Sequence, residues 1–350
     1  MPMKRFLLFF CALYIMAACH PRDRFVVFSG YAQGGVYQVT ANLAGVRMPD
    51  KAIQDSIDAM LFTIDTTLSG YNKGSMLSRF NRGETIRPSR MFIDLFDMAV
   101  YWYERSEGAL DMAAGPLFNV WGFGFKEGRM PSEEEVKSIL GECGMKRLKR
   151  DMRESLRPDG SLAPADLLIS GEALPQLNYN AIAQGYTSDV IAAFLYRIGV
   201  KDMLVNIGEI WCDGHNPSGS GWTVGIDSPT DRNESPGEKL EGKWGSGRLP
   251  RGIVTSGNYR KFYIRDGKKY AHTIDPRAGY PVEHGLLSAT VVSSVSSAAA
   301  DAVATWCMVE GTERAREIID SDPSLEGFLI SSAPDGSFAT WSSEAFMSVE

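Results

Sequence analysis

The run Leu287-Ser288-Ala289-Thr290-Val291-Val292 predicts a strand, and Ser297–Glu310, SAAADAVATWCMVE, predicts a helix directly after it. Working outward from this pair, further strands are expected at 252–255 and 261–264, and a further helix at 313–321. Strands and helices are mixed here without a regular strand-helix-strand alternation. The sequence therefore predicts an α+β fold, with mixed or antiparallel sheets and packed helices.

The rest of the chain supplies further elements of the same kind. They are strands at 25–28 and 35–40 around a Gly-rich turn at 30–35, helices at 49–68 and 90–107, a pair of surface helices at 133–157, and a long loop at 228–251. The helix at 90–107 is expected to end at Gly108, because glycine is a common helix stop. The loop is rich in Pro, Gly, Ser and charge, so it has little to bury and is a candidate for contact with a partner.

Residues 1–19 have the layout of an export signal. Lys4 and Arg5 give a charged start, and residues 6–15 form an apolar core that is short for a membrane span. Small residues then lead directly to Cys19, a pattern that resembles a bacterial lipoprotein signal, in which this cysteine is acylated. An ordinary cleaved signal is the alternative, and both interpretations take the protein out of the cytoplasm.

This signal divides the chain into three regions. We expect a signal peptide at 1–18, a lipidated cysteine and short tether at 19–24, and one folded domain at 25–350. The protein is thus expected to be exported and held by a lipid anchor on the periplasmic side of a bacterial membrane.

The composition restricts the possible partners. A net charge of −7 argues against nucleic acid, whose phosphates are bound by clusters of Lys and Arg. The cysteines after the expected signal are far apart, so neither a disulfide framework nor a paired-cysteine metal site is indicated. Stability must come from an apolar core.

Asp301 and Thr305 are four residues apart on the predicted helix and therefore share one face. Two oxygen ligands on one face suit Mg²⁺, which often completes its coordination with water and substrate phosphate. In the alternative interpretation, Asp301 caps the helix and Thr305 has no special role. Residues 177–194 predict another helix whose start, near Asn178 and Gly185, would offer N–H groups to a phosphate.

Several ordered motifs resemble those of the ApbE-like FAD:protein FMN transferases. The matching stretches are 68–72 (LSGYN), 75–81 (SMLSRFN), 108–111 (GALD), 115–124 (GPLFNVWGFG), 181–189 (AIAQGYTSD), 205–210 (VNIGEI), 255–259 (TSGNY), 272–279 (HTIDPRAG) and 301–305 (DAVAT). They extend from about residue 25 to 310. Many motifs in one order are more specific than a single Gly-rich loop.

The resemblance implies an enzyme that uses Mg²⁺ and takes FAD as its substrate. FMN would be joined through a phosphoester to a Ser or Thr of an exported acceptor, such as a redox subunit at the membrane, and AMP would leave. The resemblance implies Mg²⁺ ligation by Asp301, Thr305 and the Ala181 carbonyl, and a catalytic role for Asp301. His272 would take the hydroxyl proton, with a structural role in the following turn as its alternative.

The same resemblance implies contacts with FAD. Tyr71 would stack on a ring system, with a core tyrosine as the alternative, and the flavin edge would meet Ala109, Leu110 and Asp111. Polar contacts are implied for Gln33, Asn178, Gln184 and Thr273. Pro116, Trp121 and Phe123 are expected to be packing residues, and Gly208 and Glu209 to shape a strand end near the site.

This chain departs from the family pattern at several places, one of which is Gly208-Glu209 in place of the usual Gly-Gly-Glu. Asn178 and Gln184 stand where many members have Asp and Lys, so one anion and one cation are lost together. Gln33-Gly34-Gly35 replaces Met-Gly-Thr. Two alternatives therefore stay open: an FAD diphosphatase that uses water, and a non-catalytic FAD-binding lipoprotein.

Overall fold

The computed structural model describes residues 22–84, 86–124, 130–150, 167–169, 175–230, 237–258, 262–265, 268–333, 335–346 and 348–349. Cys19 and the predicted signal therefore lie outside the described residues. No helix in the described ranges is long and apolar enough to cross a bilayer.

Half of the strands in the described residues belong to one large sheet. The strands are β1 Phe25–Ala32, β2 Gly35–Asn42, β3 Leu148–Arg150, β4 Leu167–Ile169, β5 Met203–Asn206, β6 Ile210–Asp213, β7 Thr223–Asp227, β8 Leu240–Gly245, β9 Arg251–Gly257, β10 Phe262–Arg265, β11 Lys268–Ala271, β12 Ile274–Asp275, β13 Tyr280–Pro281, β14 Leu286–Ser293, β15 Leu325–Ser332 and β16 Phe338–Ser342. The large sheet has the order β1-β2-β5-β6-β9-β14-β15-β16, and all its neighbouring strands are antiparallel. The predicted α+β class with antiparallel strands is confirmed.

Most of the helices in the described residues pack on one face of this sheet. The helices are α1 Asp50–Leu68, α2 Met76–Asn81, α3 Arg90–Arg105, α4 Gly115–Val120, α5 Glu133–Leu140, α6 Ala183–Arg197, α7 Ser297–Glu310 and α8 Thr312–Asp320. Of these, α4 and α5 pack together in a separate cluster. A single core joins β9, β14, α7 and α3, through residues such as Val254, Val291, Val303 and Phe96. The Ala-rich sequence of α7 explains its central place, because small side chains let neighbouring elements approach from several sides.

The opposite face of the sheet is covered by the hairpin of β7 and β8. Trp222 and Trp244 of this region pack with Ile253, Val292 and Ile330 of the sheet. The expected loop at 228–251 is therefore wrong over β8. The glycines and charged residues of β8 do not give a strand pattern in the sequence. The fully buried side chain of Trp244 holds this strand against the sheet.

Two other sequence expectations need correction. The expected helix pair at 133–157 is wrong, because α5 ends at Leu140 and β3 follows, while residues 151–157 lie outside the described part. The turn between β1 and β2 is also tighter than the Gly-rich stretch suggested. Gln33 and Gly34 alone make it, with φ of 52° and 84°.

Candidate active site

The N-terminal ends of α6 and α7 meet in very close contact. Gly185, in the first turn of α6, lies against Ser297, the first residue of α7. A Cβ atom added to Gly185 would lie 2.4 Å from the Ser297 carbonyl oxygen. Only glycine permits this approach, which explains the glycine within the 181–189 motif.

Each of these helices supplies a carboxylate to the N-terminus of the other. Asp189 of α6 accepts hydrogen bonds from the backbone N–H groups of Ser297 (2.8 Å) and Ala298 (2.9 Å). Asp301 of α7 accepts one from the Gly185 N–H (3.0 Å). First-turn N–H groups have no partner within their own helix, so the two carboxylates satisfy them across the junction. This reciprocal contact fixes Asp301 relative to α6.

Asp301 does not cap its own helix. The N-cap of α7 is Ser296, whose hydroxyl accepts from the Ala299 N–H at 3.0 Å. The capping alternative is therefore wrong, because Asp301 lies one turn further along and directs its carboxyl group to α6. Thr305 follows on the same face and is half-buried.

Burial and neighbouring carboxyl groups raise the pKa values of two interior acids here. Burial raises the pKa of Asp301 from 3.8 to about 7, with a further contribution from Asp189, while the Gly185 N–H opposes the rise. Glu209 is half-buried as a residue, but its carboxyl group lies inside the protein. Burial, and then repulsion from Asp301, raises the pKa of Glu209 well above its usual range, although the Thr255 N–H bonds its carboxylate. A cation between them would favour ionisation of both.

The oxygen atoms around Asp301 fit Mg²⁺. The Gly185 N–H donates to Asp301. It therefore does not donate to the carbonyl of Ala181, four residues earlier, which lies before the start of α6. Among the described residues we find no hydrogen bond to that carbonyl or to the Thr305 hydroxyl. A carboxylate, a hydroxyl and a carbonyl are all hard ligands that suit this ion. The described residues contain no group of three or more His, Cys, Asp or Glu side chains that could hold a metal ion.

The β1–β2 hairpin and the β5–β6 turn lie beside the start of α6. The Gln33 side-chain N–H donates to the Thr187 hydroxyl at 2.6 Å, and this hydroxyl donates to the Ala183 carbonyl at 2.7 Å. Gln184 lies against Gly208, where an added Cβ would come within 2.8 Å of the Gln184 amide nitrogen. The structure thus brings Gln33 and Gln184 to the helix that adjoins Asp301, and their contacts with FAD stay predictions.

Residues 109–111 form a second group of expected site residues. Ala109, Leu110 and Asp111 are all buried. One carboxylate oxygen of Asp111 accepts from the N–H groups of Ala113 (2.9 Å) and Met145 (3.1 Å), and burial raises its pKa to about 6.

Asn178 connects this second group to the α6 junction. Its N–H donates to the Met112 carbonyl at 2.7 Å, and its side-chain oxygen accepts from the Asn180 N–H at 3.0 Å. The 109–112 turn and the approach to Ala181 are therefore held together. The proposed flavin contacts of Ala109, Leu110, Asp111 and Asn178 are not tested by these bonds.

The remaining expected site residues occupy other segments. Tyr71 is 63% exposed on the turn between α1 and α2, so the core-tyrosine alternative is wrong. Thr273 donates its hydroxyl proton to the Asn258 side-chain oxygen at 2.7 Å, at the end of β9. His272 is half-buried, and its ring lies edge-on to Phe123 with centroids 6.3 Å apart.

Two acidic residues of the site had no catalytic or ligand role in the sequence prediction. Asp189 entered only as the last residue of a motif, and Glu209 only as part of a strand end. Glu209 does follow Gly208 in the turn between β5 and β6, as expected. The signal that could have identified Glu209 is its position: an acidic residue in a turn at the edge of a sheet.

Comparisons with known proteins agree with this arrangement. The model of the ApbE family matches residues 34–329. An FAD:protein FMN transferase of Haemophilus influenzae is 30% identical over 341 residues, covering 95% of this chain and 93% of the relative. An FAD:protein FMN transferase of Vibrio cholerae is 31% identical over 358 residues, covering 98% of each.

Solved structures give the same result. The flavin transferase ApbE from Vibrio cholerae superposes with a TM-score of 0.76 at 29% sequence identity, covering 92% of this chain and 98% of that one. On the family match, the near-complete coverage and the shared fold, the chain belongs to the ApbE family.

Proposed function

We propose that this protein transfers FMN from FAD to a Ser or Thr hydroxyl of an acceptor protein, with Mg²⁺, and releases AMP. The observation that carries the proposal is the buried Asp301 carboxyl group, held against α6 and beside Glu209. It stands in a chain that is about 30% identical, over nearly its full length, to FAD:protein FMN transferases.

The proposed reaction exchanges one phosphorus–oxygen bond for another. The acceptor oxygen bonds to the phosphorus on the FMN side of the diphosphate, and the bond from that phosphorus to the bridging oxygen breaks. The bridging oxygen leaves with AMP. The hydroxyl proton passes to His272, because an imidazole can accept a proton near neutral pH.

Asp301, Thr305 and the Ala181 carbonyl would hold Mg²⁺ in this proposal. Bound there, Mg²⁺ would neutralise negative charge that develops on the phosphate oxygens. The Gly185 N–H donates to one Asp301 oxygen at 3.0 Å, and the other oxygen would be the one that binds the ion. Glu209 adds negative charge to the same position and strengthens its preference for a cation.

The FAD contacts follow from the two groups of residues. Tyr71 offers an exposed aromatic face on which a ring system can stack, a contact worth about 1 kcal/mol beyond area burial. The buried turn at 109–111, tied to Asn178 through residue 112, would meet the flavin edge. Gln33, Gln184 and Thr273 would supply neutral polar contacts.

Release of AMP from FAD tests this proposal. Full-length protein in detergent would be mixed with FAD, Mg²⁺ and a Ser/Thr-containing domain from a flavin-dependent membrane redox complex, and AMP would be measured by chromatography. We expect AMP to appear with Mg²⁺ and to be absent with EDTA. Without Mg²⁺ dependence, the metal assignment would be wrong.

The acceptor dependence of the same signal separates the alternatives. Equal AMP release with and without an acceptor would favour an FAD diphosphatase, in which water replaces the hydroxyl. Binding of FAD with no AMP under any condition would favour a flavin-binding lipoprotein.

We also propose that the protein is exported and anchored by a lipid on Cys19. The support is the charged start, short apolar run and small residues that precede this cysteine. Cys19→Ser should move the protein from the membrane fraction to the soluble fraction, as measured by immunoblotting. Retention of the variant in the membrane fraction would contradict the lipid anchor.

A further inference from the structure

Arg277 lies where three segments with expected site residues meet. Its guanidinium donates to both carboxylate oxygens of Asp275, at 2.9 and 3.0 Å, and its third nitrogen donates to Glu310 at 2.8 Å. Asp275 belongs to the segment that begins with His272. Glu310 is the last residue of α7, the helix that carries Asp301.

The aliphatic part of Arg277 lies close to the third segment. A Cβ added to Gly108 would lie 3.7 Å from the Arg277 Cγ, and the Gly108 backbone has φ of 84°. Residues 109–111 follow directly, so this side chain adjoins the proposed flavin turn as well. Arg277 therefore bonds to the segments assigned to proton transfer and metal binding, and it lies close to the segment assigned to flavin contact.

Glu310 has an unusual place for an acidic residue. It lies in the last turn of α7, where the helix dipole disfavours negative charge. Two donors compensate: Arg277, and the Trp306 indole N–H at 3.3 Å. The ion pair with Arg277 stabilises the Glu310 carboxylate at this end of the helix.

The segment that Arg277 holds is itself a rigid turn. The Gly279 N–H donates to the Asp275 carbonyl at 2.7 Å, and the Trp121 indole donates to the Gly279 carbonyl at 2.9 Å. The Arg277 N–H also donates to the Asp275 carboxylate at 2.9 Å. A shift of this turn relative to α7 would therefore carry His272 with it, and the ion pair of Arg277 with Glu310 opposes such a shift.

We propose that Arg277 is a positioning residue, which keeps the His272 segment aligned with α7 so that the proton acceptor and the metal ligands act together. This inference rests on the proposed FMN transfer. It requires an arginine, because a lysine ammonium cannot hold both oxygens of Asp275 in a planar fork while reaching Glu310.

The test compares Arg277→Gln with a matched control, Arg105→Gln. Arg105 makes a similar ion pair, with Asp322 at 2.8 Å, and its side chain is 38% exposed against 37% for Arg277. We expect Arg277→Gln to lower kcat for AMP release at least tenfold, since small misplacements of reacting groups are expensive. KM for FAD and the half-saturating Mg²⁺ concentration should stay within twofold, and Arg105→Gln should keep wild-type kcat.

Two milder variants keep the test valid if Arg277→Gln does not fold. A hydrogen-exchange measurement on the metal-free protein adds a readout that does not depend on activity. Arg277→Lys and Glu310→Gln should each give a smaller loss of kcat than Arg277→Gln. In metal-free Arg277→Gln, amide hydrogen exchange at 272–279 should be faster than in Arg105→Gln, because the turn is no longer held to α7. If Arg277→Gln does not fold, the two milder variants decide.

Several results would overturn the inference. Wild-type kcat in Arg277→Gln is one, and unchanged hydrogen exchange at 272–279 is another. A parallel loss of kcat, Mg²⁺ affinity and thermal stability would assign Arg277 a general structural role. Absence of AMP release from the wild-type protein would instead contradict the proposed function, on which this inference depends.

Discussion

Asp301→Asn should make the metal-free protein more stable at pH 8 while removing its response to Mg²⁺. The asparagine oxygen can still accept the Gly185 N–H, so the helix junction is kept. The substitution removes a buried negative charge near Glu209 and Asp189. An ordinary structural aspartate would behave in the opposite way, because its replacement removes a favourable interaction.

The size of the effect follows from the pKa of Asp301. A rise from 3.8 to about 7 corresponds to roughly 4 kcal/mol of unfavourable ionisation in the folded state at pH 8. The new amide N–H group, if left without a full set of partners, would cost about 1 to 3 kcal/mol. The expected net gain is about 1 to 3 kcal/mol, which is about 1 to 4 °C in Tm for a chain of this length.

Differential scanning fluorimetry in EDTA measures the stability of the metal-free protein, and the same scan in Mg²⁺ measures the gain in Tm from the ion. The wild-type protein should gain about 2.7 kcal/mol at a Mg²⁺ concentration one hundred times Kd, or about 4 °C. Asp301→Asn should show no such gain. Asp111→Asn is the matched control, because its carboxyl group is also buried, with a pKa of about 6, and takes no part in the proposed metal site.

The control should keep the full Mg²⁺ response. A less stable Asp301→Asn protein in EDTA, combined with an unchanged Mg²⁺ shift, would refute the argument that this carboxyl group is held for a cation.

Three further predictions follow from the same site. Thr305→Val should raise the half-saturating Mg²⁺ concentration for AMP release about tenfold, on the order of 1.4 kcal/mol for one lost oxygen ligand; an unchanged titration would remove Thr305 from the ligand set. Gly185→Ala should destabilise the protein by about 2 kcal/mol or more in urea unfolding, because the new Cβ would lie 2.4 Å from the Ser297 carbonyl oxygen. Gly35→Ala, which adds a Cβ with nothing within 4 Å, should show little change, and equal effects would contradict the close helix contact. In EDTA, Tm should fall as pH rises from about 4 to about 7: burial raises the folded-state pKa values of Asp301 to about 7 and of Asp189 to about 6, so the folded protein binds more protons in that range. A Tm that rises over the same range would contradict this sign.

Local patterns predicted the elements that form the centre of the fold. The helix at Ser297–Glu310 has its expected bounds, and β9 and β14 extend the predicted strands at 252–255 and 287–292 by a few residues. These segments are continuous apolar or β-branched runs, in which the local signal and the buried position agree. The order of the family motifs added a prediction that the local pattern could not make, namely that distant segments belong to one site.

Elements that depend on distant partners were missed. β8 contains glycines and charges, and its buried Trp244 donates to the Glu326 carboxylate, which is far away in the sequence. Asp189 likewise bonds Ser297 and Ala298 across more than one hundred residues. A single sequence carries no direct record of such pairs, because the contacts follow from how the sheet and helices pack.

The most direct measurement of the central claim is the intact mass of an acceptor domain after incubation with FAD and Mg²⁺. The wild-type protein should add the mass of FMN to the acceptor, and replacement of the acceptor's target Ser or Thr by Ala or Val should prevent it. Asp301→Asn should leave the acceptor unmodified. An acceptor that stays unmodified by the wild-type protein while AMP accumulates, or one that Asp301→Asn modifies at the wild-type rate, would contradict the account.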